Sequence, residues 1–281
     1  MRRLTVRRGL FWFLRSLPRY LVLLLFLMIV AVPVLWIVLG SGKTLEEIFL
    51  IPIQWFPRVW QWSNYTDAWK RLPFMRWTQN SLIMTVCITA GHLLLGSMAG
   101  YGFSKFTFPG QRAAFLFVLS TMMLPVQVTA ISLFMIMKRF GWVNTYQGLI
   151  TPLLVNAFSV FFMRQYILCL PNDLIDAARM DGASELRIFV AVILPLCAPA
   201  LTGLGVLVAL GAWGEFLWPL IISGSDKMLT LPIGLAMFKN MNWTPFNQLL
   251  AMSVVVTIFP VLLFVLFQRQ LVESGVLTGM K

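Results

Sequence analysis

The sequence predicts an all-α membrane protein with six transmembrane helices, and two observations support this fold class. First, 59% of the 281 residues are hydrophobic and only 11% are charged, whereas soluble domains average roughly 45–50% apolar and 25% charged residues. Second, six stretches without a charged side chain each exceed the roughly 20 residues that cross a bilayer as a helix. These features exclude an ordinary soluble domain, a disordered chain and a disulfide scaffold.

The six predicted spans follow from charge-free stretches, because a charge near the bilayer centre is costly. Each must be helical, since lipid offers no partner to a free backbone N–H group. In chain order the spans are Tyr20–Gly42, Trp77–Ser104, Ala113–Met137, Phe140–Met163, Ile188–Gly214 and Asn240–Gln268. The first is too long for a signal peptide and lacks a clean cleavage site, so we expect a retained anchor after residues 1–19. The spans leave room for one transmembrane domain over residues 1–281.

The charge distribution predicts the orientation. The formal net charge is +12, but the basic residues lie between apolar runs and at the N-terminus rather than in one patch. This pattern favours a role in membrane orientation over nucleic-acid binding. Six basic residues precede the first span, and the first helix usually dominates orientation. We therefore expect both termini in the cytoplasm and a tryptophan-rich outer loop over Ser41–Arg76.

Two features that resemble functional motifs do not meet the requirements of a nucleotide-binding, catalytic or metal site. Gly40–Thr44 resembles the end of a phosphate-binding loop, but Ile37 stands where that loop needs its first glycine. No strand accompanies the segment, so we expect a flexible exit from the first span. His92 is the single histidine, which excludes a two-histidine metal site, and no nucleophile motif accompanies it. We expect His92 to be a satisfied polar residue in a helix bundle. The sequence thus predicts no catalytic, cofactor or metal site.

Gly96 and Gly100 form a small-residue pair at a spacing of four in the second span. Such a pair permits close approach of a neighbouring membrane helix. A chance pair in a glycine-tolerant span explains the sequence equally well.

The loop between the fourth and fifth spans predicts a short surface helix. Pro171 and Asn172 suit a helix start, and Asp173 and Asp176 favour its first turn. Arg179 follows three residues after Asp176 and lies on the same face. These residues therefore predict that the surface helix begins near Pro171 and Asn172.

The same loop also contains the expected end of that helix. Gly182 is a natural C-terminal stop, and Ser184 can cap a second helix that continues into the fifth span. The expected surface helix has about nine residues and a length of roughly 14 Å. Its small central residues, Ala177 and Ala178, permit close contact with another protein. The alternative is a solvated turn between two spans.

The residues of this loop resemble the EAA loop of ABC importer permeases. The family pattern is Glu-Ala-Ala, three residues, Gly, nine residues, then Ile, any residue, Leu and Pro. Asp176–Ala178, Gly182 and Val192–Pro195 match this spacing, with Asp in place of Glu and Val in place of Ile. Asp181–Ala183 is similar to the carbohydrate-importer branch, which is related to the maltose-type inner-membrane subunits.

The resemblance implies a type I importer permease domain without enzymatic activity, in a bacterial inner membrane. It implies a second permease subunit as a heterodimer partner, two cytoplasmic ATPases that bind ATP and Mg²⁺, and an extracytoplasmic solute-binding protein. The loop over residues 171–195 would couple the chain to the ATPases. The coupling residues carried over are Asp176, Ala177, Ala178, Arg179, Asp181, Gly182 and Ala183.

Three residues are candidates for the solute pathway. Glu215 is an acidic residue in an apolar region, where ionisable groups usually face a cavity or a partner. Trp213 offers an aromatic face that suits a sugar ring, and Gln127 is a further polar candidate. Trp213–Leu220 resembles the Trp-Asn-Glu-Phe-type segment of the importer family, with Gly214 replacing the usual Asn. Alternatively, Glu215 lies near the outer interface and braces the neighbouring subunit.

Two other functions remain open at this point. Within importers, the solute could be glycerol phosphate or a polyol instead of a sugar or oligosaccharide. Outside importers, the chain could be a secondary transporter driven by an ion gradient. Such a transporter needs ionisable or broken-helix sites near the midplane, often in repeated halves, and this chain offers only His92 and Glu215.

Overall fold

The computed structural model describes residues 2–239 and 245–279, and the side chains of residues 18–238 and 245–268. The described part contains helices and connecting segments and no strand, which confirms the all-α fold class. Two units are distinguished. One consists of the described residues of 1–72 and 238–255, and the other of those of 73–237 and 256–281.

The first unit begins with the first predicted span. Helix α1, Arg2–Ser41, contains an apolar stretch over Pro18–Ser41 that is long enough to cross a membrane. Two short helices follow, α2 over Leu45–Ile48 and α3 over Ser63–Arg71. A capping box starts α2, since the side chains of Thr44 and Glu47 each bond to the other's backbone N–H. The first span is therefore confirmed as a helix.

The segment after α1 is packed, so the expected flexible exit is wrong. The Lys43 side chain is fully buried, and its ammonium lies 4.3 Å from the ring centroid of Trp36. Asn64, also buried, donates hydrogen bonds of 2.8 Å to the carbonyl oxygens of Ser41 and Lys43. Burial lowers the pKa of Lys43, and the nearby Glu47 carboxylate partly opposes this effect. The lysine that resembles a phosphate-binding residue therefore braces the end of α1.

The second unit begins with α4, Phe74–Lys105, which contains the second predicted span. The next elements are shorter. They are α5 over Gln111–Ser120 with a 3₁₀ turn over Thr121–Met123, α6 over Val126–Arg139, α7 over Tyr146–Ile150 with a 3₁₀ turn over Thr151–Leu153, α8 over Ala157–Leu168, α9 over Asp173–Met180, α10 over Glu185–Ile188, a π turn over Phe189–Ile193, α11 over Leu194–Leu196, α12 over Ala198–Gly214 and α13 over Leu217–Ile222. Helix α9 corresponds to the expected surface helix.

The third, fourth and fifth predicted spans are bent pairs of helices rather than straight helices. The bends are 103° between Gln111–Met123 and Val126–Arg139, 44° between Tyr146–Leu153 and Ala157–Leu168, and 79° between Glu185–Leu196 and Ala198–Gly214. Together with the three continuous helices, these pairs give up to six crossings by length and composition. The sequence located the apolar runs correctly, but the expectation that each forms one continuous helix is wrong for these three spans.

Local chemistry explains each break. Pro125 lacks an N–H donor, and the preceding Leu124 is held in an extended conformation. Asn156 starts α8 as an N-cap, where its side chain accepts a 3.0 Å hydrogen bond from the N–H of Ser159. The third break lies at Cys197, and Pro199 in the first turn of α12 has no N–H to continue the preceding helix.

Two further helices complete the described chain. Helix α14 covers Leu231–Lys239, and α15 covers Phe246–Gly279. The apolar part of α15, Phe246–Gln268, corresponds to the sixth predicted span. The first residues of that predicted span, 240–244, lie outside the described residues.

Helix α4 packs closely against α8 at the small-residue pair. A Cβ atom built on Gly96 would lie 2.9 Å from the Cβ of Ser159. One built on Gly100 would lie 2.8 Å from the backbone nitrogen of Arg164. Both distances are too short for a side chain, so these glycines allow the two backbones to approach. The chance-pair alternative is therefore wrong.

Candidate functional site

Helix α9 is anchored at its start by the end of α4. The ammonium of Lys105 donates hydrogen bonds of 2.7 Å to both the backbone oxygen of Leu170 and Oδ1 of Asn172. Asn172 precedes the helix as expected, but its side chain makes no capping hydrogen bond and instead accepts from Lys105. The acidic residues Asp173 and Asp176 occupy the first turn, where they complement the helix dipole.

The end of α9 follows the expected glycine stop. Gly182 has φ +77°, a left-handed conformation that glycine adopts without a Cβ penalty. The N–H of Ala183 donates to the oxygen of Ala178, and the N–H of Gly182 donates to that of Arg179, each at 3.0 Å. These two bonds define a Schellman motif. The expected cap on the next helix is also present, since Ser184 Oγ accepts from the N–H of Arg187 at 3.4 Å.

The two faces of α9 differ. Ile175 is 2% exposed and packs in a hydrophobic cluster with Tyr101 of α4 and Ile188 of α10. Leu174 and Met180 are 46% and 88% exposed, so α9 presents apolar side chains away from this cluster. A solvated turn does not describe this element. It is a helix that buries Ile175, while its exposed surface carries the apolar Leu174 and Met180 together with the acidic Asp173 and Asp176.

The two central alanines lie in different environments. Ala177 is exposed, whereas Ala178 is half-buried and packs against the chain's own hydrophobic cluster. Contact of these alanines with another protein stays a prediction, with Ala177 the more accessible of the two. The small size of Ala178 lets α9 approach the rest of the chain.

Arg179 joins α9 to the following helix and to α4. Its Nη1 lies 3.2 Å from Oδ1 of Asp176, and its Nε lies 2.8 Å from Oε1 of Glu185. The other carboxylate oxygen of Glu185 accepts a 2.8 Å hydrogen bond from the hydroxyl of Tyr101. The hydrogen bond to Glu185 raises the pKa of Arg179, which remains charged. We call these four side chains the Arg179 network.

Sequence reasoning found only part of the Arg179 network. Asp176 and Arg179 were paired by their spacing, but Glu185 and Tyr101 were missed. An acidic residue directly after the Ser184 cap was one available signal for Glu185. Tyr101 is 84 residues from Glu185 in the chain, and no sequence signal links the two.

The structure separates the three candidate pathway residues. Glu215 directly follows α12, in an extended conformation before α13, and its Oε1 accepts a 3.2 Å hydrogen bond from the N–H of Trp218. Trp213 is 5% exposed, stacks on Phe259 at a centroid distance of 4.2 Å and donates to the backbone oxygen of Val256. Its ring face is thus covered, so Trp213 is a packing residue rather than an open sugar platform.

Glu215 lines a cleft of about 400 Å³ within the second unit. The other polar lining residues are His92 of α4 and Asn156 of the break before α8. Val126 also lines it, whereas the neighbouring Gln127 is exposed and is not among the lining residues. Of the three pathway candidates, only Glu215 lines the cleft, together with the polar residues His92 and Asn156.

His92 is satisfied only in part. Its Nε2 lies 3.0 Å from the backbone oxygen of Leu153, as expected for a polar residue in a bundle. Its Nδ1 has no hydrogen-bond partner in the part of the chain that the structure describes. Near Glu215, a Cβ on Gly214 would meet nothing within 4 Å, so the backbone leaves room there for a larger side chain.

The described residues contain no group of three or more His, Cys, Asp or Glu side chains placed to hold a metal ion. The three cysteines, Cys87, Cys169 and Cys197, are free thiols, as expected from their apolar surroundings.

Comparisons with known proteins agree with the architecture. The family model described as "Binding-protein-dependent transport system inner membrane component" matches residues 92–276. The arabinooligosaccharides transport system permease protein AraQ of Bacillus subtilis is 34% identical over 252 residues, covering 89% of this chain and 90% of the relative. The diacetylchitobiose uptake system permease protein NgcG of Streptomyces coelicolor is 33% identical, covering 90% of this chain and 84% of the relative.

A third relative and a solved structure extend the comparison. The sn-glycerol-3-phosphate transport system permease protein UgpE of Brucella melitensis is 30% identical, covering 94% of this chain and 96% of the relative. A chain in the crystal structure of a bacterial ABC transporter involved in the import of the acidic polysaccharide alginate superposes with a TM-score of 0.81. That match has 21% sequence identity and covers 92% of this chain and 96% of the other, so it supports the fold.

Proposed function

The chain belongs to the family of binding-protein-dependent transport system inner membrane components, and from this premise we propose that it is the transmembrane subunit of an ATP-driven carbohydrate importer. The relatives AraQ and NgcG are named for transport of oligosaccharides, which supports the solute class. The chain forms part of the solute pathway and couples to ATPase subunits. ATP and Mg²⁺ bind to those partners, and this subunit performs no catalysis.

The observation that carries the proposal is the geometry of α9 within a chain of this family. An exposed helix with outward apolar side chains, Leu174 and Met180, is held on the chain by the buried Ile175. Exposed apolar side chains beside charged ones on a surface helix suit a protein interface. We assign it to the ATPase, with Asp176, Ala177 and Asp181 on or beside the docking surface and Gly182–Ala183 forming the turn beneath it.

The Arg179 network supplies a route for coupling. A docking helix transmits motion only if it moves with the spans behind it. Arg179 contacts Glu185 at the start of the fifth span, and Glu185 contacts Tyr101 in the second. Closure of the ATPases on nucleotide would then shift α9 and these spans together as a rigid body, switching access to the pathway.

The proposed docking also sets the orientation. Helix α9 lies between the fourth and fifth spans, so even numbers of crossings separate it from both termini. If α9 faces cytoplasmic ATPases, both termini are cytoplasmic. The six basic residues before the first span agree with this orientation. We place the chain in a bacterial inner membrane as a multi-pass protein.

The assembly that we propose contains four further components. A second permease subunit completes the pathway as a heterodimer, two ATPases dock on the cytoplasmic side, and an extracytoplasmic binding protein delivers the solute. Glu215 is the candidate of this subunit for contact with the solute, because it lines the cleft.

Glycerol phosphate is the second candidate solute, because the UgpE relatives are named for its transport. A secondary transporter driven by an ion gradient has no comparable support from the relatives.

Purification of the tagged chain from its native membrane in mild detergent, followed by mass spectrometry of the co-purifying proteins, tests this function. We expect an ATPase subunit and a second six-span permease. Recovery of the chain alone or as a homo-oligomer, together with uptake that survives ATP depletion, would contradict the proposal.

A further inference from the structure

The cleft lined by Glu215 lies at the breaks in two spans and at the end of a third. Val126 begins α6 directly after the Pro125 break, Asn156 begins α8 after the next break, and Glu215 follows the last residue of α12. Non-helical backbone at membrane depth is tolerated only where it is buried in protein or lines a water-filled cavity. Interrupted membrane helices also mark the solute sites of transporters. The breaks therefore point to a functional cleft.

His92 adds no free N–H donor to this cleft. Its Nε2 lies 3.0 Å from the backbone oxygen of Leu153. A carbonyl oxygen can only accept, so Nε2 carries the proton of this hydrogen bond, and the neutral ring leaves Nδ1 as an acceptor. That Nδ1 has no partner among the described residues. The single N–H of the neutral imidazole is thus already used by the protein.

The remaining polar groups make the cleft rich in acceptors. Glu215 uses one oxygen to accept from the N–H of Trp218 and retains further acceptor capacity. Asn156 uses its oxygen to accept from the N–H of Ser159, which leaves its amide NH₂ as a donor. None of the cleft-lining residues that the structure describes is a lysine or an arginine. The cleft thus contains the carboxylate of Glu215 and has no cationic lining side chain that balances its charge.

We propose that this cleft admits an uncharged, hydroxyl-rich solute and rejects anionic ones. Hydroxyl groups donate to the acceptors of Glu215, whereas a phosphate or carboxylate would meet a like charge that no cationic lining residue balances. The inference rests on the proposed transport function and narrows its solute class. It favours a neutral carbohydrate over glycerol phosphate and assigns the discrimination to Glu215.

A single cysteine in the cleft can report this charge selection without knowledge of the solute. Gly211 lines the cleft four residues before Glu215, and a Cβ there would meet nothing within 4 Å. The assembled complex in membrane vesicles would carry Gly211→Cys in a background where the native cysteines, Cys87, Cys169 and Cys197, are replaced by alanine. Its modification rates would be measured with cationic trimethylammonium-ethyl, neutral hydroxyethyl and anionic sulfonatoethyl methanethiosulfonates.

The anionic reagent should react about tenfold more slowly than the cationic reagent, relative to their rates with a free thiol, because of the Glu215 charge. Glu215→Gln keeps a side-chain acceptor for the N–H of Trp218 and should abolish this preference, and Glu215→Lys should invert it. The control is Gly102→Cys, at a second glycine where a Cβ meets nothing within 4 Å and outside the cleft lining. Its rate ratio should not respond to either Glu215 variant.

An anionic reagent that reacts as fast as the cationic one at position 211 would overturn the inference. A rate ratio that Glu215→Gln leaves unchanged would overturn it as well. The readout needs no transport, so it separates this inference from the proposed function. Recovery of the chain without an ATPase would contradict the proposed function. An ATP-driven importer whose cleft shows no preference between cationic and anionic reagents would contradict the inference alone.

Discussion

The Nε atom of Arg179 lies 2.8 Å from Oε1 of Glu185, and this ion pair joins the exposed helix α9 to the first residue of α10. The second oxygen of Glu185 accepts from the Tyr101 hydroxyl of α4 at 2.8 Å. One carboxylate therefore connects the proposed docking helix to two spans. The pair is partly exposed, with side-chain exposures of 39% for Arg179 and 43% for Glu185.

Replacing Glu185 should impair coupling more than stability. A partly exposed ion pair contributes only about 0.2–1 kcal/mol to stability, so Glu185→Gln should leave the thermal midpoint of the purified complex nearly unchanged. ATP-dependent uptake should fall about fivefold, on the scale of coupling changes of roughly 1 kcal/mol. Initial uptake rates in whole cells, with membrane levels measured in parallel, check this prediction.

The control for this prediction is Arg187→Gln, an exposed residue of the same helix that makes none of the described ion pairs. It should transport normally. The double variant Arg179→Gln with Glu185→Gln should lose less uptake than the sum of the two single losses, because both single variants remove the same Arg179–Glu185 ion pair. Additive losses would show that the two residues act separately.

Gly182→Val should abolish uptake while the chain still inserts into the membrane. Its φ of +77° is a left-handed conformation, which costs an ordinary L residue about 1–2 kcal/mol. Gly141→Val is a matched control, because Gly141 also has positive φ, +68°, with nothing within 4 Å of a built Cβ. The two variants should lose similar stability, but only the first should lose ATPase docking. Normal uptake by Gly182→Val would refute this role.

Substitutions at two neighbouring residues of α9 should have different effects, one on stability and one on ATPase docking. Ile175 is 2% exposed, and truncating a buried isoleucine to alanine costs about 2–5 kcal/mol. Ile175→Ala should therefore lower the thermal midpoint of the complex. Leu174 is 46% exposed, so Leu174→Ala should leave stability intact and reduce ATPase co-purification. Thermal unfolding and quantitative pull-down of the same preparations distinguish the two effects.

The close contact of α4 with α8 predicts a sharp difference between two glycines of α4. A Cβ on Gly100 would lie 2.8 Å from the backbone nitrogen of Arg164, whereas one on Gly102 would meet nothing within 4 Å. Gly100→Ala should destabilise by about 1–3 kcal/mol through overpacking. Gly102→Ala should be neutral or stabilise by up to about 1 kcal/mol through helix propensity. Equal effects in thermal unfolding would rule out the close contact.

Much of the fold could be predicted because it depends on local patterns. The apolar runs located the spans, and Gly182 and Ser184 marked the boundaries of α9 and α10, since caps act within a few residues. The breaks in three spans were missed. A charge-free run shows which residues can lie in the bilayer. Pro125 and Asn156 interrupt helices through their effects on backbone hydrogen bonds, which hydropathy does not measure.

The candidate site depended on contacts between distant residues, which the sequence reveals poorly. Glu185 and Tyr101 meet only because α4 packs near α10, and no spacing rule connects them. Trp213 was taken for a sugar platform on the basis of residue type. Its stacking on Phe259, 46 positions later in the numbering, decides its role as a packing residue. Glu215 lines a cleft, which agrees with the expectation that an ionisable group in an apolar region faces a cavity or a partner, and its role in the solute pathway stays a prediction.

Site-specific photo-cross-linking from α9 tests the central claim most directly. A cross-linking amino acid at Met180, which is 88% exposed, should capture an ATPase subunit in the native membrane. The same group at Ile51, which is 93% exposed in the predicted outer loop, should not. The predicted result is an adduct with the ATPase from position 180 alone. Capture of the ATPase from position 51, or an absence of such an adduct from position 180, would contradict the account.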